Sequence, residues 1–129
     1  MSRPSDRTAA RAAERVRSLC LALPEATERV SHGEAAWFVR RAPQFATMAD
    51  RHHDERLALW AAAPAGAQAD WVARDPGRYF VPPYVGGRGW IGAYLDEPAP
   101  DWDAVADIVE DAYRTVAPRT LLARLDGPG

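Results

Sequence analysis

The stretch with the most chemical promise is PPYVGGRGWIGAYLD, residues 82–96, where Gly86, Gly87 and Gly89 surround Arg88. A glycine-rich loop beside a cation cradles a phosphate when its backbone N–H groups open onto a helix N-terminus, as in G-x-x-x-x-G-K-[ST]. Here the run leads instead into Trp90-Ile91-Gly92-Ala93-Tyr94, which reads as a strand. The glycines are therefore assigned to a positive-φ hairpin turn, and Pro82 and Pro83 to the extended approach before it. Arg88 at the tip keeps a guanidinium free to pair bidentately with a phosphate or carboxylate. Arg40 and Arg41 occupy the corresponding turn of an earlier hairpin, and Arg51 and Arg56 bracket the next connection. Side by side, these five arginines make a basic rim that could grip nucleic acid. The alternative is a set of solvated loop residues, some paired with Asp50, Asp54 or Glu55.

The other reactive side chains do not assemble into a site. His52-His53-Asp54-Glu55 has four side chains able to bind a metal, but neighbours on an extended chain point to opposite sides, and no second ligand pair follows at helical spacing. A polar hairpin turn is expected there, with no metal. His32, in Ser31-His32-Gly33-Glu34, lacks a nucleophile elbow or a cysteine partner. Cys20 falls among Val16, Leu19 and Leu23 on an apolar stripe and reads as a core thiol. No acid–base pair emerges, so no catalytic residue, no cofactor and no enzymatic activity are assigned.

Aromatic residues supply a second kind of surface. Runs such as Trp37-Phe38-Val39 and Leu57-Ala58-Leu59-Trp60 are apolar at both alternating positions, so one helical layer cannot hide both sets. Something must cover the second face: the other hairpin, a partner chain or a ligand. Trp37, Trp60, Tyr84 and Trp90 are the candidates for such a binding face, and single-stranded nucleic acid stacks on surfaces of this kind.

The elements that must position these residues follow from periodicity. Ala12, Ala13, Val16, Leu19, Cys20 and Leu23 recur at helical spacing over 6–22, with Asp6 as N-cap and Pro24 as stop. Short β-branched and aromatic runs predict strands near 28–31, 36–41, 44–50 and 56–62, joined too tightly for parallel crossovers. A short helix over 65–74 ends at Asp75-Pro76-Gly77, strands follow near 78–84 and 89–95, and Val105, Ile108, Val109, Ala112, Tyr113 and Val116 mark a helix started by Asp101 and ended before Pro118. A last short helix covers 119–125. The order α-β4-α-β2-α predicts a two-layer α+β fold, an antiparallel sheet with helices on one face.

Composition sets the outer bounds. The 129 residues are enough for one domain, 1–129, with an ordered core near 6–125, folding without disulfides. The polar start and the lack of a long apolar run predict a cytoplasmic protein with no membrane segment. All 16 basic residues are arginine, and the net charge is −2, unlike the basic domains that bind nucleic acid indiscriminately. Charge divides as +1 over residues 1–34, +2 over 35–95 and −5 over 96–129, so an anion site belongs in the middle third.

Several motifs carry a family resemblance: LALPEATE after the first helix, GEAAWFVRRAPQFATM, YFVPPYVGGRGWIGAYLDE and DWDAVADIVEDAYRTVAP, together spanning about residues 16–118. The chain resembles the MmcQ/YjbR-like family. That resemblance implies a two-layer α+β fold similar to that of secretion chaperones. It also brings the DNA-binding label that family members carry for a proposed double-wing pair of hairpins. Two readings stand: a non-enzymatic domain gripping DNA through arginine-tipped hairpins, or a module binding a protein or small ligand on an aromatic sheet face. The sequence leaves the oligomeric state open.

Overall fold

Ala12, Val16 and Cys20, spaced by four residues, form the buried side of α1 (Asp6–Leu21). A computed structural model describes residues 6–50, 56–96 and 99–127. After α1 the chain runs through β1 (Ala26–Ser31), β2 (Glu34–Val39), β3 (Gln44–Asp50) and β4 (Leu57–Ala61). There follow α2 (Ala67–Arg74), β5 (Tyr79–Phe80), β6 (Ile91–Tyr94), α3 (Trp102–Val116) and α4 (Arg119–Asp126). This is the α+β order expected from periodicity.

All neighbouring strands are antiparallel, in the order β1-β2-β3-β4-β6-β5. The chain leaves β4, crosses through α2 to the far edge for β5, and returns to insert β6 against β4. α1 and α3 pack across one face of the sheet, and α2 packs on β5 and β6. Asp101 caps α3 through a carboxylate oxygen that accepts from the N–H groups of Asp103 and Ala104. The stripe Val105, Ile108, Val109, Ala112 and Tyr113 is buried against the strands.

Trp37 pairs with Ala46 and Phe38 with Gln44, which leaves Phe45 as an extra residue in β3. This bulge turns Phe45 toward α3, where its ring meets Tyr113 edge-on at 5.7 Å. Tyr113 is fully buried and its hydroxyl donates to the carbonyl of Pro24 at 2.7 Å. Every residue of β4 is buried, although alternate side chains point to opposite faces. Leu57, Leu59 and Ala61 meet the helices; Ala58 and Trp60 lie on the other face, which must therefore have a cover of its own.

Candidate ligand-binding cleft

The cover comes from the connection between β5 and β6, residues 81–90. The expected strands at 78–84 and 89–95 are in fact only Tyr79–Phe80 and Ile91–Tyr94, so the tight hairpin is a ten-residue connection. The physical reason is Pro82 and Pro83, which have no N–H to extend the ladder. The chain folds back over the sheet, takes a positive φ of 66° at Tyr84, makes one 3₁₀ turn at Gly86–Arg88, and leaves it through Gly89 at φ 87°. Gln68 of α2 pins this path by donating its side-chain amide to the carbonyls of Gly86 at 2.9 Å and Trp90 at 2.7 Å. Gly86 sits close to Val81: a Cβ there would lie 2.6 Å from Val81 Cγ1, so that side chain would have to turn away. Gly87 has open space and no positive φ, so only Gly89 of the expected turn glycines needs left-handed backbone.

Between this connection and the sheet lies a cleft of about 690 Å³. Its floor includes Thr47 and Trp60, its wall Tyr84, Val85, Arg88 and Trp90, and one end Ser31, His32 and Glu34. Trp60 and Trp90 are 8% and 7% exposed, whereas Tyr84 is 88% exposed and leans over Trp60 at 6.5 Å between ring centroids. The Thr47 hydroxyl has its one proton within reach of the carbonyls of Met48 at 3.0 Å and Ala35 at 3.3 Å, so its donor is satisfied within the sheet. The Arg88 guanidinium lies over the Trp90 ring at 5.2 Å. His32 Nδ1 is 3.2 Å from Ser31 Oγ, and Glu34 Oε2 accepts from the Asp50 N–H at 3.0 Å. Of the four non-glycine described residues with positive φ, His32 and Tyr84 both border the cleft.

On either side of the cleft, the open face is shielded by arginines stacked on aromatic rings. Arg29 covers Phe38 at 3.6 Å and Arg56 covers Tyr94 at 3.6 Å. Tyr94 in turn stacks on Phe80 at 4.4 Å. Phe80 lies across Gly92, where any Cβ would clash with the far edge of its ring. The two-sided apolar strands are thus covered by a folded connection and by guanidinium planes.

Of the five arginines of the expected rim, the four that are described take different roles. Arg40 pairs with Glu25 at 2.7 Å, and Arg124 shares the same carboxylate at 2.7 Å. Arg56 pairs with the buried Asp96 at 2.6 Å. The partners seen are Glu25 and Asp96, brought by the fold from distant segments; Asp54 and Glu55 lie outside the described residues. Arg41 is exposed and makes no ion pair among the described residues, and of the four described arginines only Arg88 borders the cleft. Arg51 and the run His52 to Glu55 lie outside the described residues. Among those described, no group of three or more potential ligands is placed to hold a metal.

Of the candidate aromatics, Trp60, Tyr84 and Trp90 come together around the cleft, but Trp37 does not. It points to the helix side, is fully buried, and donates its indole N–H to Glu28 at 2.9 Å. Glu28 is held by Arg17 of α1 through bonds of 2.8 Å and 3.0 Å. The neighbour Phe38 takes the open face instead, and only strand register decides which of two adjacent aromatics goes where. Thr47, Val85, Ser31 and Gln68 were missed as contributors because their roles depend on the crossover that lays the connection over β3 and β4. Cys20 is buried, and desolvation pushes its thiol pKa up, in keeping with a core role.

Among the described residues no helix is long and apolar enough to cross a membrane. The family model described as YjbR matches residues 21–115, a span holding all six strands and the cleft. No curated protein matches the chain.

Proposed function

The chain belongs to the YjbR family, and on that scaffold we propose that it acts as a non-enzymatic binding module whose ligand occupies the cleft under the 81–90 connection. The observation that carries this reading is the pinned connection itself, in which Gln68 holds the segment bearing Tyr84, Arg88 and Trp90 around Trp60. A wall held by the protein's own hydrogen bonds lowers the ordering cost of binding. The cleft volume of about 690 Å³ suits a small organic ligand, and apolar walls with a few polar groups are the usual lining of such sites.

Catalysis is not part of the reading. Ser31 and His32 are hydrogen-bonded, but no hydrogen bond among the described residues places a carboxylate on the other ring nitrogen of His32. A serine nucleophile needs a base that a third group orients.

A second reading, nucleic-acid binding, retains Arg41 and Arg88, the two candidate arginines that make no ion pair among the described residues. One experiment separates the readings: screening the purified chain against small ligands, DNA and RNA at two salt concentrations. Saturable small-ligand binding that Tyr84→Gly removes and salt changes little supports the cleft. Micromolar DNA or RNA affinity that falls steeply with salt and is weakened by Arg88→Glu would favour the wings.

A further inference from the structure

Resting on the binding reading above, we infer that the cleft takes a small flat aromatic acid, its ring against Tyr84 and its oxyanion on the Arg88 guanidinium. The ring requirement comes from the walls. Tyr84 is 88% exposed, a large apolar surface left uncovered, and it adjoins Trp60 at the cleft rim. A ligand ring laid there gains edge or offset contacts with two aromatic neighbours, which an aliphatic chain of equal area does not.

The oxyanion requirement comes from charge. Among the described residues lining the cleft, Arg88 and His32 are the basic side chains and Glu34 is the acid. Glu34 already accepts from the Asp50 amide. Arg88 is held near Trp90, its guanidinium carbon 5.2 Å from the ring centroid, and guanidinium N–H edges are the groups that recognise a carboxylate, sulfonate or phosphate bidentately. Ser31 and His32 at one end supply donors for a further polar substituent.

The backbone points the same way. Tyr84 is held at φ 66°, a conformation costly to a bulky residue, and a glycine at this turn would avoid that cost. A strained residue that exposes its ring at a cleft rim is placed to serve a ligand, since its burial contributes nothing to the core. The ligand is taken to be small rather than polymeric because Arg40 and Arg56 are engaged by Glu25 and Asp96, and among the described residues Arg88 is the one arginine that lines the cleft.

The test uses two fluorescent probes sharing one ring system: anilinonaphthalene sulfonate and its uncharged parent, phenylnaphthylamine. The wild-type chain should bind the sulfonate saturably, one per chain, about tenfold more tightly than the neutral probe. Arg88→Gln should erase that difference while leaving the neutral probe's affinity unchanged. Tyr84→Gly, which removes an exposed ring and relieves its backbone, should weaken both probes without lowering the melting temperature. Equal affinities in the wild type, or equal losses in Arg88→Gln, would overturn the oxyanion assignment and leave the cleft reading intact. Failure of both probes to bind would sink the cleft reading and this inference together. Displacement of the sulfonate by single-stranded oligothymidylate, with a steep salt dependence, would overturn the small-ligand assignment in favour of nucleic acid.

Discussion

Glu28 shows how a residue on an exposed-looking strand becomes structural. Its carboxyl is held below the ordinary carboxylate range chiefly by the hydrogen bond from Arg17, and also by the Trp37 indole, against the opposing effect of burial. A group whose folded pKa is depressed contributes stability above its unfolded value, and that contribution is lost as pH falls through the folded value. Stability should therefore decline on acidification below about pH 4.5, and Glu28→Gln should flatten that part of the curve. Denaturant midpoints of both proteins at several acidic pH values check this; parallel curves would contradict it. Tyr113 was legible beforehand because its stripe repeats at helical spacing. Tyr113→Ala should cost about 3 kcal/mol through the cavity it leaves, and Tyr113→Phe about 1 kcal/mol for the bond to Pro24. Denaturant unfolding measures both. The Trp37 placement was not legible, since adjacent residues of a two-sided strand differ only in register, and the Phe45 bulge that sets this register leaves no pattern in composition.

At the scale of elements, the helices and the order of elements along the chain were readable because periodicity, Asp101 and Pro118 each act locally. The β5–β6 connection was misread as a tight turn because glycines signal a turn without giving its length. Pro82 and Pro83 carried the better information: they end β5 after two residues and throw the chain back over the sheet. Glycine variants separate the two pictures. Gly89→Val should destabilise by about 1–3 kcal/mol, since φ 87° strains any β-branched residue, whereas Gly87→Ala should be nearly neutral because nothing lies within 4 Å of its would-be Cβ. Gly92→Ala should be the most damaging of the three, because the new atom clashes with the far edge of the Phe80 ring, which must be displaced from its stack on Tyr94. Equal effects at positions 87 and 89 in thermal denaturation would contradict this description of the connection.

Across the whole molecule the arginines change meaning. By type they suggested phosphate, but in the fold Arg29 and Arg56 shield aromatic rings, Arg40 and Arg56 neutralise carboxylates, and Arg88 remains at a cleft. Sequence could not assign these roles because the partners Glu25 and Asp96 come from distant segments. Charge is also sided: Asp70, Asp107, Glu110 and Asp111 line a groove between α2 and α3 that would repel an anion, leaving the open sheet face as its better approach. The central claim, that the cleft under the connection is the binding surface, is tested most directly by the indole N–H resonances of the five tryptophans. Titration with an aromatic sulfonate should shift the signals of Trp60 and Trp90 and leave those of Trp37, Trp71 and Trp102 in place. Unmoved Trp60 and Trp90 signals under saturating ligand, or shifts confined to the other three, would contradict the account.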